Sequence, residues 1–402
     1  MVARSREELG EENPFRPGTL ATGAHFADRE WEVRRILEAY RTPGSRLVVY
    51  GDRRMGKTSA LYRAAELVGR RGPAVAIATF ATASDPADAA RQILLAVQKR
   101  IGKGWRKTLE SIVSRLQGVI ELKPSPVAGA PPTVRVTFGL REEDARVDLI
   151  PETLGAINEE LVARRRRLAL VLDEFQRIHE WGGEDAEWAL KGAIETHEAI
   201  SYVLAGSKRH LIEAMITRKG RALWKQVDSI VFGPIPPDEM AEWIHGQAAR
   251  TGVTISLDAC DEIVRLAGPR TRDIVQLARE VWFEGRRAPS VGVEDVRRAL
   301  DQWVRVQASL YAALWRERSP LEQRILRALV VQPQVALTSA DALRRHRLGP
   351  KSSVQSAAMR LVDEEYLVTI ESGGYAFDDP FFRRWLELYV LPQLGLEPDA
   401  AP

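Results

Sequence analysis

The chain has 402 residues, a length that usually divides into two or three domains, each with its own hydrophobic core. Apolar residues make up 45% and charged residues 28%, as in an ordinary globular protein, and the net charge of +3 with a pI near 9.0 is too small and too evenly mixed to indicate a partner. A single cysteine, Cys260, excludes an internal disulfide and a zinc site made of four cysteines.

The sequence carries no targeting or membrane-spanning pattern. Residues 1–24 are polar with Pro and Gly, so we expect an extended arm and no secretory signal. No run of about 18 apolar residues occurs, so we expect a cytoplasmic protein with no membrane partner. The six histidines are scattered without ligand spacing, so no zinc is expected, and Cys260 is expected to be a small buried hydrophobe.

Helix and strand patterns alternate between residues 25 and 235. The predicted helices cover residues 31–42, 57–72, 85–102 and 148–167, where apolar residues recur at helical spacing. The predicted strands cover residues 46–50, 74–80, 168–172, 200–207 and 229–235, with an edge strand at 134–138 that follows a proline-rich loop at 123–133. Continuous apolar runs are typical of strands buried on both faces, so the pattern predicts an α/β fold with a parallel sheet between helices.

The remainder of the chain has a different pattern. From Pro237 to about residue 315 it is helical throughout, and from Ser319 it gives three helices followed by a turn, ESGGYAF, between two short strands. We therefore expect four segments. These are an N-terminal arm at 1–24, a core at 25–235, a helical lid at 236–315 and a C-terminal module at 316–402.

The segment after the first strand has the spacing Gly51-x4-Gly56-Lys57-Thr58, a phosphate-binding loop. Glycines let the backbone curl so that successive N–H groups point inward, and the helix that follows brings its positive end to the same anion. Lys57 would reach the β- and γ-phosphates, and the Thr58 hydroxyl would coordinate Mg²⁺. The predicted contacts to the nucleotide are Gly51, Asp52, Arg53, Arg54, Met55, Gly56, Lys57, Thr58 and Ser59.

Two carboxylates, Asp173 and Glu174, end the buried run LALVLDE. The carboxyl ends of parallel strands open on one edge of the sheet, so Asp173 is expected beside Thr58, where both would hold Mg²⁺. Glu174 is the residue expected to orient and deprotonate water. The predicted reaction is Mg²⁺-dependent hydrolysis of ATP with Lys57, Asp173 and Glu174 as catalytic residues.

Four further residues have alternative interpretations. Ser207, at the tip of another strand, could contact the γ-phosphate or the attacking water, or could cap the helix that follows. Arg209 could stabilise transition-state charge as an arginine finger, in cis or on a neighbour's nucleotide, or could be a solvated surface residue. Arg270 and Arg272 lie at the start of a helix, where cations oppose the helix dipole, so they could contact nucleotide from the lid or be surface arginines.

Several motifs together resemble the archaeal-type ATPases of the P-loop superfamily, which have bacterial members and are related to the STAND and AAA+ groups. The resemblance covers residues 24–390. The phosphate loop and the Asp-Glu pair are generic to the superfamily, whereas the combination of the other motifs is specific. The motifs are HFADRE (25–30), GDRRMGKTS (51–59), LVLDEFQ (170–176), LAGSKRHLIEAM (204–215), VFGPIPPDEM (231–240) and YAFDDPFFRRWL (375–386).

The resemblance implies a five-stranded core, a helical lid, a C-terminal winged helix and ATP as the nucleotide. It also implies that Phe26, Asp28 and Arg29 lie near the adenine, although the residues alone indicate only a helix start. GPRTR at 268–272 departs from the GNPYY-like segment of the family, and an arginine here, Arg272, is closer to origin-recognition ATPases and indicates nucleotide sensing. In the segment before VFGPI, Arg221 occupies a position at which the family often has an arginine.

The winged-helix module predicts a contact with nucleic acid or, alternatively, with a protein. Its third helix would bury Val354, Ala357, Ala358, Leu361 and Val362 and expose Ser352, Ser353, Gln355, Ser356 and Arg360, so that it could enter the major groove of duplex DNA. Phosphates would meet Arg344, Arg345, His346, Arg347 and Lys351. Acidic residues oppose this, so a protein contact stays open. They are Asp363, Glu364, Glu365, Asp378 and Asp379.

These features predict an ATP-dependent switch. ATP binding would close the lid and shift the winged helix, and slow hydrolysis would reset the switch unless a partner or a second subunit of a homo-oligomer completes the site. The protein could act on nucleic acid, or it could be a signalling or defence-type switch whose winged helix contacts protein. A third interpretation is a nucleotide binder with little hydrolysis.

Overall fold

The computed structural model describes residues 12–20, 26–27, 29–69, 71–101, 118–123, 133–138, 148–286, 290–370 and 373–396. The chain forms two units, one from Leu20 to Pro234 and the other from Ile235 onward together with the N-terminal residues up to Thr19. Each unit is described separately. Among the described residues, no helix is both long and apolar enough to cross a membrane.

The first unit is built on a five-stranded sheet in which every neighbouring pair of strands is parallel. The strand order is β2-β5-β6-β1-β7. The strands are β1 (Arg46–Tyr50), β2 (Ala74–Thr79), β5 (Leu168–Asp173), β6 (Ile200–Gly206) and β7 (Asp228–Val231). The predicted α/β fold with a five-stranded parallel core is confirmed.

Six helices among the described residues of this unit cover the sheet. They are α1 (Glu30–Arg41), α2 (Lys57–Leu67), α3 (Pro86–Ile101), α4 (Leu149–Ala163), α5 (Arg177–Glu195) and α6 (Arg209–Thr217). Successive strand residues point to opposite faces. Val49 therefore packs with residues of α1 and α2, whereas Val48 packs with residues of α3 to α6. Helix α2 ends at Leu67, short of the predicted Gly72, because Gly69 turns the chain with a φ of 75°.

The edge strand predicted at 134–138 is not part of the parallel sheet. It is β4 (Thr133–Phe138), and it pairs antiparallel with β3 (Gly118–Lys123) in a separate two-stranded sheet. The strand β3 was not predicted from the sequence. Most of the proline-rich segment predicted as a loop lies outside the described residues.

The second unit begins with five helices that confirm the helical pattern predicted after Pro237. They are α7 (Pro237–Ala249), α8 (Leu257–Ala267), α9 (Thr271–Gly285), α10 (Val293–Val306) and α11 (Ala308–Arg316). Cys260 is fully buried in α8, as expected for a small hydrophobe. The N-terminal arm also belongs to this unit. Its Phe15 is buried and meets the ring of Trp243 on α7 edge to face at 5.8 Å between centroids.

The C-terminal part of this unit is a winged helix. Its helices are α12 (Pro320–Val331), α13 (Ala340–Arg345), α14 (Lys351–Asp363) and α15 (Pro380–Trp385), and its wing is formed by β8 (Leu367–Thr369) and β9 (Tyr375–Phe377). After α15 the helix widens into a π-helical turn, Leu386–Val390, and ends in a 3-10 turn, Pro392–Leu394. Four of the five residues predicted for the buried stripe of α14 are buried, and Val362 is half-buried.

Two ion pairs join the helical region to the winged helix within this unit. Arg270, at the start of α9, donates to the carboxylate of Asp378 at 2.5 Å and to its main-chain carbonyl, and both side chains are nearly buried. Arg384 on α15 donates to both carboxylate oxygens of Asp301 on α10, at 2.8 and 3.2 Å. The helical region and the winged helix are therefore held together by charged contacts as well as apolar ones.

Candidate nucleotide site

The predicted phosphate loop connects β1 to α2 in a conformation that requires glycine. Gly51 has a φ of 150°, and a Cβ added there would lie 2.3 Å from the carbonyl oxygen of Phe232. Gly56 has a φ of 89° and directly precedes α2, whose N-terminal end faces the loop. Arg54 also adopts a positive φ, 67°, which is strained for a residue with a side chain. This curl is the backbone shape of an anion-binding loop.

Lys57 folds back onto this loop. Its Nζ donates to the carbonyl oxygens of Gly51 at 2.8 Å and Asp52 at 2.7 Å, and the side chain is buried. Burial lowers the pKa of Lys57 to about 8, against the opposing effect of the nearby carboxylates Glu174 and Asp173. A triphosphate in the loop would offer this ammonium stronger acceptors than two carbonyls.

Asp173 and Thr58 meet at the carboxyl edge of the sheet, as the sequence predicted. Thr58 Oγ1 donates to Asp173 Oδ2 at 3.2 Å. Their strands β1 and β5 are not neighbours, because β6 lies between them. Burial raises the pKa of Asp173, and the charge of Glu174 raises it further, whereas the Thr58 hydrogen bond and Lys57 lower it. The positive charge of Lys57 therefore only partly offsets burial and the charge of Glu174, and a bound cation would offset them further.

A hydroxyl and a single carboxylate fit the requirements of Mg²⁺ beside a nucleotide. Mg²⁺ takes oxygen ligands, keeps several waters and usually binds through one or two carboxylates together with substrate phosphates. Thr58 and Asp173 are the residues here that would hold it. When bound, the ion would neutralise charge on the phosphate oxygens.

Glu174 follows Asp173 and is held by two donors. Its backbone has a φ of 59°, in the left-handed region. Ser207 Oγ donates to Glu174 Oε2 at 2.7 Å, and Gln176 Nε2 donates to the same oxygen at 2.5 Å. The strained backbone and the two hydrogen bonds fix the carboxylate at the edge of the sheet. Such strain is common at active sites.

Gln176 was not predicted from the sequence, although it is buried beside this carboxylate. Its Oε1 is buried and has no hydrogen-bond partner among the described residues. This oxygen lies against Gly206, where a Cβ would come within 2.1 Å of it. A polar residue two positions after the acidic pair was the only sequence signal for its role.

Ser207 and Arg53 lie together, whereas Arg209 has another partner. Arg53 Nε donates to Ser207 Oγ at 3.5 Å, which links the phosphate loop to the tip of β6. Arg209 Nε donates to Glu213 Oε1 on the same helix at 2.8 Å. Its predicted role as an arginine finger stays a prediction. So do the predicted nucleotide contacts of Asp52 and Ser59, which lie in the loop and in the first turn of α2.

Phe26 and Arg29 line a cavity of about 600 Å³ between α1 and α2. Arg29 is buried with its guanidinium 5.1 Å above the ring of Phe232, and it donates to Gly233 O at 2.5 Å and to Met55 O at 3.4 Å. The cavity is therefore tied to the phosphate loop through Arg29. Asp28, which the resemblance also placed near the adenine, lies outside the described residues.

The two arginines at the start of α9, in the segment predicted to be a lid, have different surroundings. Arg270 pairs with Asp378, as described above, and this partner explains a cation at the start of α9 without a nucleotide. Arg272 is exposed, and its predicted contact with nucleotide stays a prediction. Arg221 is nearly buried in the first unit, where it donates to Glu187, which also accepts from His179 at 2.6 Å.

The loop, the acidic pair and the parallel sheet define a P-loop ATPase. A family described as an ATPase domain predominantly from Archaea matches residues 26–276, more than half of the chain, and a probable winged helix domain matches residues 309–388. The protein belongs to this archaeal-type ATPase family and carries a C-terminal winged helix. No curated protein matches the sequence.

Two solved structures have similar folds. A Walker-type ATPase of Pyrococcus abyssi aligns with a TM-score of 0.60 at 18% identity, over 93% of this chain and 99% of that chain. The ORC2 protein of Aeropyrum pernix, solved in ADPNP–ADP complexes, aligns with a TM-score of 0.55 at 14% identity, over 96% of this chain and 99% of that chain. At these identities the similarity supports the fold.

Proposed function

We propose that this protein is an ATP-driven molecular switch of the cytoplasm that binds ATP with Mg²⁺ at residues 51–59 and acts on nucleic acid through its winged helix. The observation that carries the nucleotide part is the 3.2 Å contact between Thr58 and Asp173, with Glu174 fixed beside them. Asp173 ends β5, and Thr58 lies in the first turn of α2, which follows β1. Although β1 and β5 are not neighbours, the two residues meet at one edge of the sheet, where a P-loop enzyme needs them.

Each residue has a stated part in the reaction. The N–H groups of the loop and Lys57 bind the β- and γ-phosphates and hold the γ-phosphate in place. Glu174 orients the attacking water and accepts its proton, which requires a fixed carboxylate with a free lone pair. Ser207 is hydrogen-bonded to both Glu174 and Arg53. Through these hydrogen bonds, loss of the γ-phosphate from the loop would alter the position of Glu174.

The cavity beside Phe26 is the site proposed for the adenine. Its lining includes Phe26, Val33 and Leu37, an apolar wall on which an aromatic base can stack. The ORC2 protein of Aeropyrum pernix, which has a similar fold, was solved with ADPNP and ADP, and this supports an adenine nucleotide as the ligand. Replacing Phe26 with Ala should weaken ATP binding about tenfold, the loss expected for one stacked aromatic ring.

The nucleic-acid part rests on the charge of the winged helix. Four basic residues from the end of α13 to the start of α14 are exposed, namely Arg344, Arg345, Arg347 and Lys351. Three acidic residues that would have repelled phosphate have partners inside this unit. Asp378 pairs with Arg270, Asp379 accepts from Phe381 and Phe382 N–H at the start of α15, and Glu364 pairs with Arg318. The basic residues can therefore act on phosphates with less opposition.

One feature favours the alternative of a signalling or defence-type switch whose winged helix contacts protein. Met359 is 46% exposed in the middle of α14, and an apolar side chain on an exposed helix face is typical of protein contacts. Asp363 and Glu365 are exposed near the end of the same helix. A stable protein partner together with no DNA affinity at low salt would favour this alternative.

The decisive experiment measures ATPase rate and nucleotide affinity with and without duplex DNA, for the wild type and the Lys57→Ala variant. We expect slow basal hydrolysis that DNA stimulates, and loss of hydrolysis in the variant. Hydrolysis and binding that do not depend on Lys57 would contradict the site. A rise in specific activity with protein concentration would support the predicted homo-oligomer or a finger such as Arg209 acting in trans.

DNA binding is tested separately with a matched pair of variants. Arg344→Ala with Arg347→Ala should reduce affinity, and the slope of log K against log salt should become shallower by about 2, since each phosphate contact contributes about 0.9. Arg167→Ala with Arg305→Ala removes the same charge at two other exposed positions and should change neither quantity. Equal effects of the two pairs would show that the winged helix has no special role.

A further inference from the structure

A groove of about 450 Å³ lies between α11, α12 and the C-terminal turns, within the second unit. One wall is the face of α11 that carries Ala308, Ala312 and Trp315, whose small alanines leave the space open. The floor includes Trp385 and Val390, both buried. The ring of Trp385 is stacked between those of Phe382 and Tyr389, each 6.0 Å away. The floor is thus a rigid, apolar and largely aromatic surface.

The groove lies at the π-helical turn that follows α15. The wider turn is visible in the hydrogen bond from Leu391 N to Leu386 O at 3.0 Å, five residues apart instead of four. π-Helical turns are rare and frequently occur at functional sites. Here the turn brings both Tyr389 and Val390 to the groove.

The charged residues of the groove are arginines. Arg316 is exposed at one end, and Arg327 is half-buried on α12. No carboxylate among the described residues pairs with either of them or with Arg324, one turn from Arg327. Burial lowers the pKa of Arg327, and the charge of Arg324 lowers it further. The Nε of Arg324 is buried without a hydrogen-bond partner among the described residues.

The carboxylate of Glu387, in the π-helical turn, has other partners. It forms an ion pair with Arg383 at 3.3 Å and accepts a hydrogen bond from Arg384 at 2.9 Å. Of the two arginines that line the groove, Arg327 is half-buried with Arg324 one turn away, and Arg316 is exposed. Neither has a carboxylate partner among the described residues, so both guanidinium groups would stabilise an anion bound in the groove. Guanidinium groups prefer planar anions that they can bind in a fork geometry, and a carboxylate is such an anion.

From this arrangement we infer that the groove binds an acidic peptide segment of a partner protein. A leucine or aromatic side chain of the peptide lies on Trp385 and Val390, and a neighbouring Asp or Glu contacts Arg327 and Arg316. This is the chemistry of a peptide bound in a hydrophobic groove with charged residues at its rim. The inference goes beyond the proposed ATPase function, because it needs neither the nucleotide site nor α14.

A peptide explains the groove better than a nucleic acid does. None of the exposed basic residues of α13 and α14 lines it. A nucleic-acid surface tracks the backbone with exposed charges, whereas Arg327 is half-buried beside an apolar floor. The apolar floor favours an apolar side chain of the peptide. The missing counter-charge of the arginines favours an Asp or Glu next to that side chain in the peptide.

The test selects peptides from a random 12-residue library on the full-length protein, with counter-selection on the Ala312→Trp variant, which fills the groove. We expect enriched peptides that combine Asp or Glu with Leu, Phe or Trp within four residues. A fluorescein-labelled peptide of this type should bind the wild type, and replacement of its acidic residues by Asn or Gln should weaken it at least tenfold. No enrichment, or enrichment of peptides without acidic residues, would overturn the inference.

The variant Arg327→Met keeps the length of the side chain and removes its charge, so it should fold and bind the same peptide at least tenfold more weakly. Arg344→Ala, outside the groove, should bind it like the wild type. A labelled single-stranded oligonucleotide should not compete, and competition through Arg327 would overturn the inference in favour of nucleic acid. If peptide bound only after deletion of residues 397–402, the groove would belong to the chain's own acidic end and the inference would be wrong.

Discussion

Gln176 Nε2 donates a hydrogen bond of 2.5 Å to Glu174 Oε2, the oxygen that also accepts from Ser207 Oγ. Both donors approach the same oxygen, so neither hydrogen bond occupies Oε1. The arrangement orients the carboxylate of Glu174 and leaves one oxygen to accept a proton from water. Gln176 is therefore a positioning residue, and it acts through Glu174.

Replacing Gln176 with Leu should lower kcat about tenfold with little change in KM, because the nucleotide contacts stay and only the position of Glu174 is lost. Ser207→Ala removes the other donor and should act in the same direction. ATPase assays under saturating ATP measure both effects. Faster hydrolysis in Gln176→Leu would mean that the hydrogen bond restrains Glu174 in an inactive position.

Gly206→Ala should disturb the same network from the opposite side. The new Cβ would lie 2.1 Å from Gln176 Oε1 and 2.5 Å from Ile212 Cδ1, so both buried side chains must move. Overpacking of this kind costs about 1–3 kcal/mol of unfolding free energy, and kcat should fall with it. Gly192→Ala is the matched control, since nothing lies within 4 Å of its new Cβ on the exposed face of α5.

In the control, alanine should raise helix stability by up to about 1 kcal/mol and leave kcat unchanged. Chemical denaturation with circular dichroism gives the stabilities of both variants. Equal stability and equal kcat for Gly206→Ala and the wild type would show that Gln176 does not need the space above Gly206.

ATP affinity should fall above pH 8. Burial lowers the pKa of Lys57 to about 8 in the free protein, and bound phosphates raise it again because they carry opposite charge. Below pH 8 the lysine is protonated in both states, so it contributes no pH dependence. Above pH 8 the free protein has lost this proton and must take it up on binding, so affinity decreases as the pH rises.

Titration calorimetry at pH 9 in buffers of different ionisation enthalpy should therefore show the uptake of about one proton per nucleotide. The Lys57→Ala variant lacks the titrating group and should bind weakly with no such uptake. A wild-type affinity that stays constant from pH 7.5 to 9.5 would contradict the role of Lys57 in phosphate binding.

Glu174→Gln should separate binding from hydrolysis. The amide keeps the shape of the side chain and can still contact Ser207, but it cannot take a proton from water, so kcat should fall at least 100-fold while ATP still binds. Asp173→Asn should instead weaken the Mg²⁺ dependence of binding. An unchanged turnover in Glu174→Gln would support a nucleotide binder with little hydrolysis over a working ATPase.

Arg270→Ala should destabilise the second unit by about 3 kcal/mol, because it removes the guanidinium that pairs with the nearly buried carboxylate of Asp378. Arg272→Ala, two residues away and exposed, should change unfolding free energy by less than about 0.5 kcal/mol. The double variant Arg270→Ala with Asp378→Ala should lose less than the sum of the single changes. Additive losses would mean that the ion pair does not couple the two residues.

Local patterns in the sequence predicted much of the site. The spacing from Gly51 to Thr58 and the buried run before Asp173 each carry their signal within a few residues, and the parallel sheet brings their ends to one edge. Gln176 and Gly206 were missed because their contact joins residues far apart in the sequence. The partner of Arg270, Asp378, was missed for the same reason. The strand β3 was missed because a two-stranded sheet needs no continuous apolar run.

The ion pairs of Arg270 with Asp378 and of Arg384 with Asp301 fasten the wing and the last helix of the winged helix to α9 and α10. Two ion pairs at separate positions restrict rotation of the winged helix relative to α9 and α10. A displacement of the start of α9 would therefore move the wing together with it. Whatever ligand sets the position of α9 would thereby set the orientation in which the wing meets its target.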